Sequence, residues 1–339
     1  MSEQYAGRQI VGMDLHRRRS VLVRMTETGE TLETVRISND PQYLQQVMAR
    51  AGIAPEVALE ACYGWYWAVD TLIELGATVH LAHPLGVKGF AYRRVKNDER
   101  DAADLADLLR MGRLPEAWIA PPATRELREL VRHRAKLVGL RTNLKCQVHA
   151  VLAGAGIPVT SSDLFGPGGR ELLERVALPT AMRAKVNSAV RLIDAIDFEI
   201  DTFARLVTGR LRDHPGYAAV QTIPGVGPTL GAVFVAEIGP VHRFHRAEQL
   251  ASWAGLTPRH HESDTRVHRG RITKQGNKLV RWAAIEAVQR IGPHTRLGAF
   301  RDQVAERRGR NQAKVAAARE LVECVFYGLR DHHVRRLAA

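Results

Sequence analysis

The chain is poor in cysteine, lacks long apolar runs and is short of acid. Its three cysteines, Cys62, Cys146 and Cys324, are far apart and odd in number. They exclude a disulfide framework and a Cys-rich zinc site, and they suit a reducing compartment. No stretch of 18 apolar residues occurs, so no membrane span is expected. The polar start MSEQYAGRQI runs straight into a strand-like segment, so no secretory leader is expected and the expected location is the cytoplasm. Acids number 36 against 49 Lys and Arg, for a formal net charge of +13 over 339 residues. A basic excess of this size points to a polyanionic partner.

Against that background, residues 98–107 hold five acids: Asp98, Glu99, Asp101, Asp104 and Asp107. Asn97 is placed to cap a helix whose first turn favours negative charge, and Leu105, Leu108 and Leu109 continue it as an apolar stripe. Capping accounts for one or two of the acids. Asp98 and Asp101, three apart, share one helical face. Two carboxylates on one face, joined by acids from strand ends, make a hard oxygen site for Mg²⁺ or Mn²⁺.

The preceding chain supplies those acids. QIVGMD (9–14) reads as a buried strand ending at Asp14. SVLVRMTETG and ETLETVRISN alternate about a Thr-Gly turn, which predicts a hairpin. A polar helix is expected near 41–51, a short strand PEVALEA (55–61) containing Glu60, a helix opening at Tyr63-Gly64-Trp65-Tyr66-Trp67, and a strand at 77–84. A hairpin followed by strand–helix–strand–helix is the layout of a ribonuclease-H-like, mixed-sheet domain. In it Asp14, Glu60, Asp98 and Asp101 converge at one sheet edge as metal ligands and catalytic acids.

The pattern changes at about 123. Leu130, Leu137, Leu144 and Val151 recur every seven residues, while Arg125, Arg128, Arg132, Arg134, Lys136, Arg141 and Lys145 crowd the other faces. This predicts a long basic amphipathic helix. The segment 154–169, rich in Gly, Pro and Ser, is expected to be a loop and a domain boundary. A second long helix over 180–212 would complete a helical hairpin or coiled-coil arm, or an ordinary bundle.

Gly225 and Gly227 in IPGVGPTLG precede an apolar helix. No clear strand leads into them, and no acid stands in the ribose position, which argues against a dinucleotide fingerprint. The segment matches a helix–hairpin–helix turn whose amides approach a DNA phosphate; a plain Gly-rich helix connection is the alternative. Over 257–281 there are seven Lys or Arg against two acids. Ser263 stands there among Arg259, Arg266, Arg269, Arg271, Lys274 and Lys278, a cluster suited to a phosphodiester and to attack by the serine hydroxyl. His260, His261 and His268 lack partners at zinc-like spacing and read as solvated or phosphate-contacting. A packed, closing amphipathic helix is expected over 309–331.

The ordered motifs VGMDLH, ALEACYGW, RRVKNDERDAADLADLL, IPGVGPTLGAVFVAEIG, LASWAGLTPRHHES and RGRITKQGNKLVRWAAIEA cover nearly the whole chain. Together they resemble bacterial insertion-sequence transposases of the insertion sequence 110 family. The resemblance implies a RuvC-like DEDD catalytic domain (1–122), a helical hairpin or coiled-coil arm (123–214) and a mostly helical Transposase-20 domain (215–339). It carries the four DEDD acids onto Asp14, Glu60, Asp98 and Asp101, and a DNA nucleophile onto Ser263, which here lies in Glu262-Ser263-Asp264 rather than in the commoner Ser-Gly. It further implies Mg²⁺-dependent strand cleavage and exchange through a phosphoserine, an element-encoded guide RNA, action on element ends and target DNA in the nucleoid, and a dimer or tetramer. Two other readings stand beside it: a metal-dependent nuclease in which water attacks, and a non-catalytic nucleic-acid-binding protein.

Overall fold

The architecture begins with seven strands and thirteen helices, given by a computed structural model that describes residues 5, 7–90, 97–263 and 266–334. The chain falls into two units, Met1–Ile119 and Ala120–Ala339.

The first unit is built on β1 (Gln9–Leu15), β2 (Arg19–Thr26), β3 (Thr31–Ser38), β4 (Glu56–Glu60) and β5 (Thr78–Ala82). They form one sheet in the order β3-β2-β1-β4-β5. β1, β2 and β3 pair antiparallel, while β4 runs parallel to β1 and β5 parallel to β4. This is the expected hairpin followed by parallel crossovers. β1 is apolar on both faces because it is central and covered twice. Val11, Met13, Leu15, Val57 and Leu59 meet Leu44 and Val47 of α1 (Pro41–Met48) and Val69 and Leu72 of α2 (Trp65–Glu74). On the opposite face Ile10, Met25 and Ala58 meet Leu105, Ala106 and Leu109 of α4 (Asp98–Arg110), which follows the short α3 (Pro84–Val87).

α4 starts where its chemistry dictates. Asn97 is extended, and its Oδ1 accepts the Glu99 N–H at 3.1 Å. At the other end Arg110 grips Asp107 at 2.7 and 2.9 Å.

The second unit is largely helical. α5 (Pro122–Gly154) and α7 (Thr180–Leu211) are 33 and 32 residues long. Pairings of Glu126 with Arg210, His133 with Phe203 and Arg141 with Asp197 make them an antiparallel hairpin. The expected loop 154–169 is shorter than anticipated. α6 (Pro167–Arg175) begins at Pro167, since proline fits the first helical position and Leu173 joins a small core with Val148, Leu152 and Val186.

The main core lies among α8 (Pro215–Val220), α9 (Pro228–Ile238), α10 (Ala247–Trp253), α11 (Lys278–Gln289), α12 (Arg296–Arg308) and α13 (Arg310–Asp331). Phe234, Val280, Ala284, Leu321, Val325 and Phe326 fill it, so the closing helix α13 is packed as expected. The polar stretch around Ser263, given no element from sequence, is a two-stranded antiparallel ribbon, β6 (Pro258–Ser263) and β7 (Arg266–Ile272). It has no apolar alternation to betray it.

Candidate metal centre

Strand register creates the site. Gly12 pairs with Ala58 and Met13 with Leu59 across the parallel β1–β4 ladder. One step further, Asp14 and Glu60 end neighbouring strands side by side. Side chains alternate along a strand, so both acids fall on the face that carries Ile10, Ala58 and α4. α4 then delivers Asp98 from its first turn.

The turn after β1 adds His16. Its Nε2 lies 3.1 Å from Asp14 Oδ2 and 3.2 Å from Asp98 Oδ1. One ligand atom from each of Asp14, His16 and Asp98 falls within 4.8 Å of the others. Asp14 Oδ2 and His16 Nε2 are shut off from solvent, although the Asp98 side chain keeps 33% of its exposure. Two carboxylates and an imidazole with convergent ligand atoms, two of them enclosed, fit a divalent cation.

Among the described residues, Glu60 and Asp101 lie outside this three-residue group. Glu60 still acts on the same corner. Burial first, then the Glu60 charge and the Asp14 charge, push the Cys62 thiol above its ordinary value. Cys62 Sγ donates to the Leu15 carbonyl at 3.3 Å, just beyond Asp14. Asp101 sits one position short of a full turn beyond Asp98, half-buried in α4.

Reading the acids alone missed His16. The available signal was the Asp-x-His spacing at a strand end, which puts positions 14 and 16 on the same side.

The other predicted residues lie in the second unit. Ser263 is exposed at the end of β6, in register with Arg266. Arg259, Arg271, Lys274 and Lys278 are exposed on or next to the ribbon. Arg266 and Arg269 occupy β7, but their side chains, like those of His261 and His268, lie outside the described residues. His260 meets Glu262 at 3.4 Å.

Gly225 has φ +83°, and a Cβ there would stand 2.4 Å from the Ala287 carbonyl oxygen of α11. Close helix packing therefore accounts for that glycine. Gly227 is extended and caps α9, with nothing near its missing side chain. Two arginines read as free basic faces on α5 are spent internally. Arg128 donates to the Ala236 and Glu237 carbonyls at 2.9 and 2.8 Å, and Arg132 binds the Glu237 carboxylate at 2.7 and 2.8 Å.

Comparison with known proteins points to one family of transposases. A family model described as Transposase IS116/IS110/IS902 family matches residues 217–304. A second, described as Transposase and named for the DEDD transposases of IS110, matches residues 11–157. The chain is 26% identical to the transposase for insertion sequence element IS1111A of Coxiella burnetii, over 98% of this chain and 92% of the relative. It is 28% identical to a probable family 20 transposase of Pseudomonas aeruginosa, over 69% of this chain and 70% of the relative. It is also 27% identical to a 44.8 kDa protein of insertion element IS116 of Streptomyces clavuligerus, over 95% of this chain and 94% of the relative. Among the described residues, no helix is long and apolar enough to cross a membrane.

Proposed function

Because this chain belongs to the IS116/IS110/IS902 family of transposases, we propose that it moves an insertion element by metal-dependent cleavage of DNA phosphodiesters at the Asp14–His16–Asp98 cluster. The convergence of those three side chains is the observation that carries this reading. In it, residues 1–122 carry the RuvC-like metal chemistry, 123–214 the arm and 215–339 the Transposase-20 domain.

Asp14, His16 and Asp98 would hold Mg²⁺ or Mn²⁺, with Glu60 and Asp101 completing the acidic rim. A bound divalent ion supplies charge neutralisation at the scissile phosphate and at the departing oxygen. The chain's own residues do the rest. β1 and β4 fix Asp14 and Glu60 on one edge. α4 holds Asp98 against His16. The acidic rim orients an attacking water and takes its proton as the phosphorus–oxygen bond breaks and one strand end leaves as a hydroxyl.

A second, finer reading gives the attack to Ser263. Its support is an exposed hydroxyl at the tip of a basic ribbon. There the serine oxygen would bond to phosphorus, one strand end would leave as a hydroxyl, and a second strand's hydroxyl would reverse the step and free the serine. The resemblance to the family adds a guide RNA and a dimer or tetramer to this reading. The surplus of 49 Lys and Arg over 36 acids supports nucleic-acid partners.

A denaturing gel tests both readings, using labelled element-end DNA, RNA transcribed from the element's flank, and Mg²⁺. Cleavage by wild type that disappears in Asp98→Asn is the expected result; undiminished cleavage in Asp98→Asn refutes the metal reading. A slow protein–DNA adduct that vanishes in Ser263→Ala moves the nucleophile from water to the serine.

A further inference from the structure

A cleft of about 510 Å³ opens in the second unit, far along the sequence from the metal cluster. It is lined by Arg132, Lys136, Glu237, Asn277, Lys278 and Leu279, among others. Its floor is a buried carboxylate. The Glu237 side chain keeps 1% of its exposure. It receives both Arg132 hydrogen bonds at 2.7 and 2.8 Å and the Asn277 amide at 2.6 Å. The same Asn277 turns its Oδ1 to the Val280 N–H at 3.0 Å and so caps α11. α5, the end of α9 and the start of α11 are therefore locked together beneath the cleft.

The lip is equally constrained. Gly276 has φ +81°, and a Cβ there would stand 1.9 Å from the Trp253 carbonyl oxygen. The turn leading to Asn277 thus lies directly on the end of α10.

Charge decides what such a cleft takes. Arg132 and Glu237 neutralise each other. Lys136 and Lys278 are both exposed at the rim, which leaves a local charge of about +2. The amides of Lys278 and Leu279 precede the first intrahelical bond of α11 and face an anion favourably. Ala135 and Leu279 add apolar surface beside the cations, as a sugar–phosphate chain requires. β7 ends at Ile272, a few residues before this lip, so the basic ribbon leads into the cleft.

We propose that this cleft seats the phosphodiester backbone of a nucleic acid, as a fixed docking point separate from the phosphate that is cut. Lys136 and Lys278 contact successive or facing phosphates, while the Arg132–Glu237 pair between them sets their spacing and carries no net charge of its own. The proposal rests on the reading of this chain as a nucleic-acid enzyme. It assigns a role to Lys136, on the arm, that the basic ribbon alone does not.

The test uses the full chain in EDTA with fluorescein-labelled duplex DNA and, in parallel, structured RNA transcribed from the element's flank. Anisotropy is followed across a salt series. Each phosphate contact contributes about 0.9 to the slope of log affinity against log salt on duplex DNA. The variant carrying Lys136→Gln and Lys278→Gln should bind more weakly, with a slope shallower by about 2, while Lys185→Gln at the far end of the arm should match wild type. Both lysines are exposed, so the melting temperature should not move. A loss confined to RNA identifies the guide as the occupant, and a loss confined to DNA identifies the element or target. Unchanged slopes on both overturn the proposal. Asp98→Asn separates this from the cleavage reading, since it should fail to cut while the two lysine substitutions, made in its background, still lower the slope. Wild-type binding by the lysine variant with no cutting by Asp98→Asn would sink only the cleft. The reverse pattern would sink only the metal reading.

Discussion

Gly12 lies directly beneath Ala102: a Cβ at position 12 would stand 1.8 Å from the Ala102 carbonyl oxygen and 2.8 Å from the Ala106 nitrogen. The backbone of α4 therefore rests on β1 with no side chain between them. Asp14 follows Gly12 by two residues on the strand, and Asp98 precedes Ala102 by about one helical turn. This contact sets the height of Asp98 above Asp14. Gly12→Ala should lift α4, cost roughly 1–3 kcal/mol in stability and pull Asp98 away from His16. Chemical unfolding and Mg²⁺-dependent cleavage, measured side by side, check it. Wild-type cleavage by this variant would show that the close approach does not set the site.

His16 should be a true member of the metal site. Adding Mn²⁺ or Mg²⁺ should raise the melting temperature of wild type, by mass action of a ligand that binds only the folded form. His16→Ala should need roughly tenfold or more metal for the same rise, and an imidazole donor should favour Mn²⁺ over Mg²⁺. Equal metal titrations for wild type and His16→Ala would leave His16 as a mere carboxylate contact.

The Glu237–Arg132 pair should be asymmetric. Burial opposes the Glu237 charge, but hydrogen bonding and charge from Arg132, with Asn277 and Arg128, outweigh it and hold the carboxyl below its ordinary value of 4.5. A lowered folded value means stability fully present above about pH 4.5 and lost as the pH falls through the folded value. Thermal melts of the full chain should therefore drop below that pH, and Glu237→Gln should flatten this dependence. Arg132→Met strands a carboxylate that keeps 1% of its exposure and should cost about 3–5 kcal/mol. Glu237→Gln should cost less, because Arg132 keeps 39% of its exposure and can rehydrate.

Much of the first unit was legible from local signals. Asn97 capping, the apolar stripe on α4 and the alternation in β1 and β2 depend on near neighbours alone. The two long helices showed themselves by periodicity over 33 and 32 residues. The β6–β7 ribbon did not, because its sequence is mostly polar and shows no apolar alternation. Arg128 and Arg132 looked like solvent-facing cations on α5. Their partners lie more than 100 residues away, on α9, where no sequence spacing reveals them.

By itself, then, the sequence determined the strands and helices of the first unit and the two long helices of the second, their order, and the carriage of acid on β1, β4 and α4. Those properties follow from capping, periodicity and charge within a few residues. Only the tertiary structure decided that Asp14 and Asp98 meet across His16, that Glu60 and Asp101 stand outside that trio, and that Gly225 serves packing against α11. Such outcomes depend on the β1–β4 register and on backbones touching at glycines, contacts between residues far apart along the chain.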